Sequence, residues 1–250
     1  MTTFTTKQKM LILLCTLIGV VAIVLTTVFA TVAYLTSSAA VSNVFTIGNV
    51  SMTLTESKVN PDGTKVDDGV TQVDTNTYHL VPSTTYAKDP RVTISAGSEH
   101  SYLFALVRND IEAIEDRAEG TDNKTIAKQL AENGWAKYTK AATGWVYIYV
   151  GVGNVPEGDE NITDTSYTFA GTDANGDGRP DVALAEDGAS YYLFHNFSIG
   201  NVDSSELNKY GAAKITITAV AIQDTSEFDN GVHDAWEAVV DTYPYIHTGN

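Results

Sequence analysis

The sequence predicts a mainly β protein, a β-sandwich with short helical insertions behind an N-terminal hydrophobic helix. Segments rich in Val, Ile, Tyr, Phe and Thr recur from Val50 to Ile222, the residue types that suit a pleated surface. Clusters of Asn, Asp, Gly and Pro separate them, as turn chemistry requires. Helical composition is confined to three short stretches. Many strands with sparse helices form a layered β architecture.

The hydrophobic helix comes first. Lys7 and Lys9 precede an apolar run from Met10 to Ala33, softened only by Thr and Gly. It is long enough to span a bilayer, with the basic end held in the cytoplasm. It also reads as a signal peptide, and Thr31-Val32-Ala33 forms a small-x-small cleavage site before Tyr34. Residues 1–33 are therefore expected to be a signal peptide, with an uncleaved anchor as the alternative. Contact with the membrane is expected only before cleavage, and the product is secreted to the extracellular matrix or cell surface. The lone cysteine, Cys15, lies inside this run, so no disulfide framework or cysteine metal site is available.

The first strand read from alternation is Val50 to Thr55, where Val50, Met52 and Leu54 alternate with Ser and Thr. Asn60-Pro61-Asp62-Gly63 and Asp67-Asp68-Gly69 are turns. Further strands are expected at 77–81, 91–95, 101–108, 145–152, 167–170, 182–185, 191–197 and 214–222. Helical stretches are expected at 110–119 and 123–132, the second with Asn123 as N-cap, Gly134 as C′ residue, and Ile126 and Leu130 on one face. A last helix is expected from His233 to Asp241, with Trp236, Val239 and Val240 turned inward. No internal repeat or low-complexity linker divides residues 45–250, which read as one domain.

Several ordered pieces carry a family resemblance. They are Ala33-Tyr34-Leu35-Thr36, Val44 to Val50, Tyr78-His79-Leu80-Val81-Pro82, Tyr86-Ala87-Lys88-Asp89-Pro90 with Val92, Ala96 to Glu99, Asn133-Gly134-Trp135, Ile215 to Gln223, and Ala235-Trp236. In this order they resemble the TasA/camelysin family, exported proteins with a SipW-dependent-type signal peptide. The resemblance spans essentially the whole chain after the signal. It implies a jelly-roll sandwich and extracellular fibres built by donor-strand exchange.

Charge narrows the partners. The chain carries a formal net charge of −16. Beyond residue 33, 13 basic residues face 31 acidic ones, a net of −18. Such a surface repels phosphate backbones, so no nucleic-acid partner is expected.

The sharpest local motif is Asp173-Ala174-Asn175-Gly176-Asp177-Gly178-Arg179-Pro180-Asp181. Oxygen side chains at Asp173, Asn175, Asp177 and Asp181 resemble a calcium loop. An EF-hand is excluded, because its bidentate acid would fall on Leu184. A looser structural calcium site and a plain hairpin connection with solvated carboxylates both remain open, and no cofactor is required. Some camelysin-type relatives carry a metallopeptidase label. Here His79, His100, His195, His233 and His247 include no pair at the i, i+4 spacing of a zinc helix. No nucleophile elbow or phosphate loop is present, so no catalytic residue is assigned and an enzyme is not expected. Tyr147, Tyr149, Tyr191, Tyr192 and Phe194 could line a sugar-binding face, although strand spacing favours core packing.

Cleavage makes residues 34–44 the new N-terminus, small and free of charged side chains. A segment of this kind can add to the sheet edge of a neighbouring subunit. Tyr34, Leu35, Val41 and Val44 are the expected donor-strand residues. Head-to-tail addition does not close on itself and builds a filament. The expected function is an exported structural subunit of matrix or biofilm fibres. Its partners would be itself, the signal peptidase and accessory fibre proteins. The alternatives are a monomeric surface adhesin or carbohydrate-binding sandwich, and, with less support, a secreted metallopeptidase.

Overall fold

A computed structural model of the protein describes residues 36–117, 125–243 and 246. The expected signal peptide, and with it Thr31, Ala33, Tyr34 and Leu35, lies outside the described residues, as do Asn123 and His247. In chain order the elements are β1 (Thr36–Ile47), β2 (Met52–Ser57), β3 (Gln72–Val73), β4 (Thr75–His79), β5 (Thr85–Ala87), β6 (Arg91–Ile94) and β7 (Ser101–Asn109). They continue with α1 (Ile126–Glu132), β8 (Trp135–Ala141), β9 (Gly144–Tyr149), β10 (Ser190–Tyr192), β11 (Asn196–Ser198), α2 (Ser204–Leu207), β12 (Ile215–Gln223) and α3 (Val232–Thr242). The protein is mainly β, as the composition predicts.

β7 and β12 are almost unbroken apolar runs because both faces of their sheet are covered. That sheet has six strands in the order β4-β1-β12-β7-β9-β8. Period-two alternation sends Leu103, Ala105, Ile217 and Ala219 into one core and Phe104, Val220 and Ile222 into another. The first core lies against a four-stranded sheet, β10-β6-β2-β3, through Met52, Leu54, Val92 and Ile94, and against the β11-β5 pair. The second is closed by α3, whose Trp236 packs on Phe104 and Tyr138 at ring-centroid distances of 5.2 and 5.7 Å.

The predicted helix ends are partly as read. Ile126 and Leu130 are buried on one face of α1, and Gly134 follows it at φ +87°, the left-handed conformation that suits a C′ glycine. The cap is Thr125, whose hydroxyl accepts from Lys128 N at 3.2 Å. α3 buries Trp236 and Val239, and Val240 is half-buried against the same core.

Other expectations need correction. Among the described residues, 110–117 hold only a short 3-10 turn at Glu112–Ile114. Glu115 bridges to Ile199 instead, and Ile111 and Ile114 anchor the segment in the core. The strand expected at 191–197 breaks into β10 and β11, which join different sheets. Between them Leu193 N donates to Pro90 O, and Leu193 and Phe194 are fully buried. Residues 167–170 and 182–185 form only single bridges, Thr139–Thr168 and Ser101–Ala185, and pack as cover. β3 and β5 are too short to announce themselves by alternation.

Candidate functional site

β1 is the first described element and the one that joins β4 to the rest of the six-stranded sheet. From Thr36 to Ala40 it runs antiparallel to β4, pairing Thr36 with His79 and Ala40 with Thr75. It then turns its other edge to β12 in parallel, pairing Val41 with Ile217 and, after a bulge, Val44 with Ala219 through Ile47 with Ile222. Of the expected donor residues, Val41 and Val44 thus sit on this ladder, within the chain's own sheet. Val44 is 37% exposed. The strand crosses residue 44 and ends at Ile47, held there by Phe45 against Tyr243 at 4.6 Å between ring centroids.

Gly48 makes the exit turn at φ +85°. A β-carbon there would lie 2.6 Å from Gln223 Oε1, which itself accepts from Asn49 N at 2.9 Å.

Beneath β4 lies a group of polar side chains that sequence reading did not bring together. Glu56 and Lys88 are fully buried and Asn76 is 5% exposed. Lys88 Nζ donates to Glu56 Oε2. Asn76 Nδ2 donates to Glu56 Oε1 at 2.9 Å and to Ser57 O at 2.9 Å, and Asn76 Oδ1 accepts from Val59 N at 2.9 Å. Burial lowers the Lys88 ammonium from its ordinary range, and the attraction of Glu56 offsets this only in part.

Beside this group, Asp89 accepts from Ser57 N and Ser57 Oγ at 2.8 Å each and from Lys65 Nζ at 2.6 Å. Burial opposes its ionisation, but the Lys65 and Ser57 donors outweigh that and hold the carboxyl below its ordinary value. Tyr78 borders the group, and Phe197 packs at 5.0 Å from the rings of both Tyr78 and Tyr86. The one available signal is Lys88 itself, a lysine directly after the aromatic and apolar strand residues Tyr86 and Ala87.

The acidic loop sits elsewhere, exposed, and turns its oxygens onto its own backbone. Asp173 accepts from the N–H groups of Gly176, Asp177 and Gly178 at 2.6, 3.0 and 2.8 Å. Asn175 Oδ1 accepts from Asp177 N at 2.9 Å and Asp177 Oδ1 from Arg179 N at 2.9 Å. Asp181 takes Ala174 N at 2.6 Å and Asn175 Nδ2 at 2.9 Å.

Among the described residues, only the ligand atoms of His233, Asp234 and Glu237 form a His, Cys, Asp or Glu group within 4.8 Å of one another. They occupy the first two turns of α3, the end where the helix dipole disfavours a cation, and Asp234 is already bound to Asn230 N at 2.8 Å. Beside them Tyr138, Thr168, Trp236 and Glu237 line an open groove of about 440 Å³.

The aromatic set offered as a sugar face is divided. Tyr147 and Phe194 are core residues. Tyr149 and Tyr191 pack on each other at 4.7 Å, and Tyr192 accepts from Arg91 Nη1 at 2.9 Å.

The chain matches no protein-family model, no curated protein and no solved structure.

Proposed function

We propose that the protein is an exported structural subunit that polymerises head-to-tail by exchanging its N-terminal strand, in extracellular fibres of the TasA/camelysin kind with a jelly-roll body. The observation that carries this reading is the placement of β1. It is an N-terminal strand, joined to the body through Gly48 and Asn49, and it pairs along both edges with strands of one sheet. A backbone ladder carries no chain identity, so the same strand of a second copy satisfies β4 and β12 equally well. While the hydrophobic run is attached, the strand is tethered at the membrane. Cleavage before Tyr34 frees it outside the cell. The body needs no catalytic centre for this role, and its charge opposes indiscriminate association between fibres at low salt.

The test is negative-stain electron microscopy of the chain from Tyr34 onward, with and without calcium. Filaments of regular repeat are expected. A chain lacking residues 34–44 is expected to stay folded and soluble without polymerising, and normal filaments from that deletion overturn the mechanism. Monomers of the undeleted chain under every condition favour a surface adhesin whose β1 stays in its own sheet.

A further inference from the structure

We infer that Lys88 and Asn76 join in an intramolecular amide bond, formed spontaneously in the folded protein with Glu56 as the proton carrier. The inference rests on the buried group under β4 and is independent of the fibre reading. Three features meet there. A lysine amine sits with no exposure beside a carboxylate that also binds the side-chain amide of an asparagine. That amide's oxygen already accepts a backbone N–H from Val59 at 2.9 Å. Glu56 and Lys88 have no exposed surface and Asn76 is 5% exposed, so competing water is kept out.

The chemistry follows from those contacts. A buried ion pair is costly to maintain, and moving one proton from Lys88 to Glu56 leaves both groups neutral. Burial favours the neutral amine. The Nζ lone pair then forms a bond to Asn76 Cγ, and the carbonyl π pair moves to Oδ1. Val59 N–H is positioned to stabilise that oxyanion, as preorganised donors do in acyl transfer. On collapse the Cγ–Nδ2 bond breaks, and Glu56 delivers protons to the leaving nitrogen. Ammonium departs with the two hydrogens of the asparagine amide and the two that Lys88 sheds. Glu56 returns to the carboxylate, and no oxidant or co-reactant is consumed.

The product would tie β4, in the six-stranded sheet, to the segment that follows β5. It closes a loop over residues 76–88, a cross-link that does not depend on cysteine in a chain whose only thiol lies in the expected signal peptide.

Peptide mass tests this directly on the purified chain. Trypsin would cut an unlinked chain after Lys65, Lys88 and Arg91. The linked chain is expected to resist cutting at Lys88 and to yield the peptide 66–91 lighter by one ammonia, about 17 Da. Its fragmentation should release no backbone ions between Asn76 and Lys88. A cyclised Asn76 alone loses the same mass but leaves Lys88 cleavable, which would overturn the inference. Glu56→Gln retains hydrogen bonding without the proton carrier and is expected to give unmodified peptides. Asn76→Ala removes the acceptor carbon and is expected to do the same. Folded wild-type protein that keeps its full peptide mass after incubation at acidic, neutral and alkaline pH overturns the inference, whatever the variants do.

Discussion

Replacing Glu115 by glutamine is expected to flatten the dependence of stability on pH between mildly acidic and mildly alkaline conditions. Glu115 is 6% exposed, between the end of β7 and the start of α1. Burial is the main influence on its carboxyl and raises it from 4.5 to about 7. The bond from Ile126 N at 3.0 Å and a contact from Asn109 pull the other way, Glu112 adds to the rise, and Arg117 opposes it.

The folded state therefore holds this proton where the unfolded chain has lost it. The stabilisation is complete below the unfolded value, declines as pH rises, and is gone above about 7. At 1.36 kcal/mol per pH unit, the rise from 4.5 to about 7 amounts to about 3 kcal/mol. Carboxylates held below their ordinary value, such as Asp89, act with the opposite sign and in a more acidic window.

Urea unfolding at about pH 5 and about pH 8 should show the wild type losing about 2.5 kcal/mol more than Glu115→Gln over that interval, since part of the effect is already lost at pH 5. Glutamine keeps an oxygen for Ile126 N–H, and every other ionisable group is common to the two proteins, so the difference isolates one carboxyl. Parallel pH profiles for the two proteins would refute the assignment of burial as the dominant influence.

Two further substitutions probe the sheets. A β-carbon on Gly144 would lie 2.2 Å from the carbonyl oxygen of Val107 on the neighbouring strand. Gly144→Ala should therefore cost about 1–3 kcal/mol in urea unfolding by forcing β7 and β9 apart. Phe197→Ala removes a ring stacked at 5.0 Å on Tyr86 and set edge-on to Tyr78 at 5.0 Å, and should cost about 3–5 kcal/mol. A cost under about 1 kcal/mol would mean that the aromatic cluster of Tyr78, Tyr86 and Phe197 relaxes more readily than its packing implies.

Much of the sheet architecture was legible because it depends on local periodicity. The apolar runs of β7 and β12 announce strands whatever lies beside them, and Ile126, Leu130 and Gly134 mark one helix and its end. The errors fall where a partner decides. Residues 191–197 have one strand's composition but must cross from one sheet to another, so the chain bends at Leu193 and Phe194. Residues 110–117 have helix-forming composition, yet burying Ile111 and Ile114 and bridging Glu115 to Ile199 gains more than one added helical turn. The buried group is the extreme case. Glu56, Asn76 and Lys88 are ordinary singly, and no spacing rule joins residues 20 and 32 apart in the chain.

That buried group also bears on the proposed strand exchange. Among the described strands, β4 reaches the six-stranded sheet only through β1. If the ladder were its sole attachment, withdrawing β1 would release β4 and leave no slot to refill. β4 has a second attachment. Asn76, opposite Ala39 of β1, is bound beneath the sheet to Glu56 and Ser57 of β2 and to the backbone of Val59. Tyr78, two residues on and facing the same way, reaches Ala87 O at 3.1 Å and packs against Phe197. The far wall of the slot is thus fixed from below by contacts that do not involve β1. An open slot with both walls in place is the acceptor that the proposed strand exchange between copies requires, and a covalent Asn76–Lys88 bond would make that wall permanent.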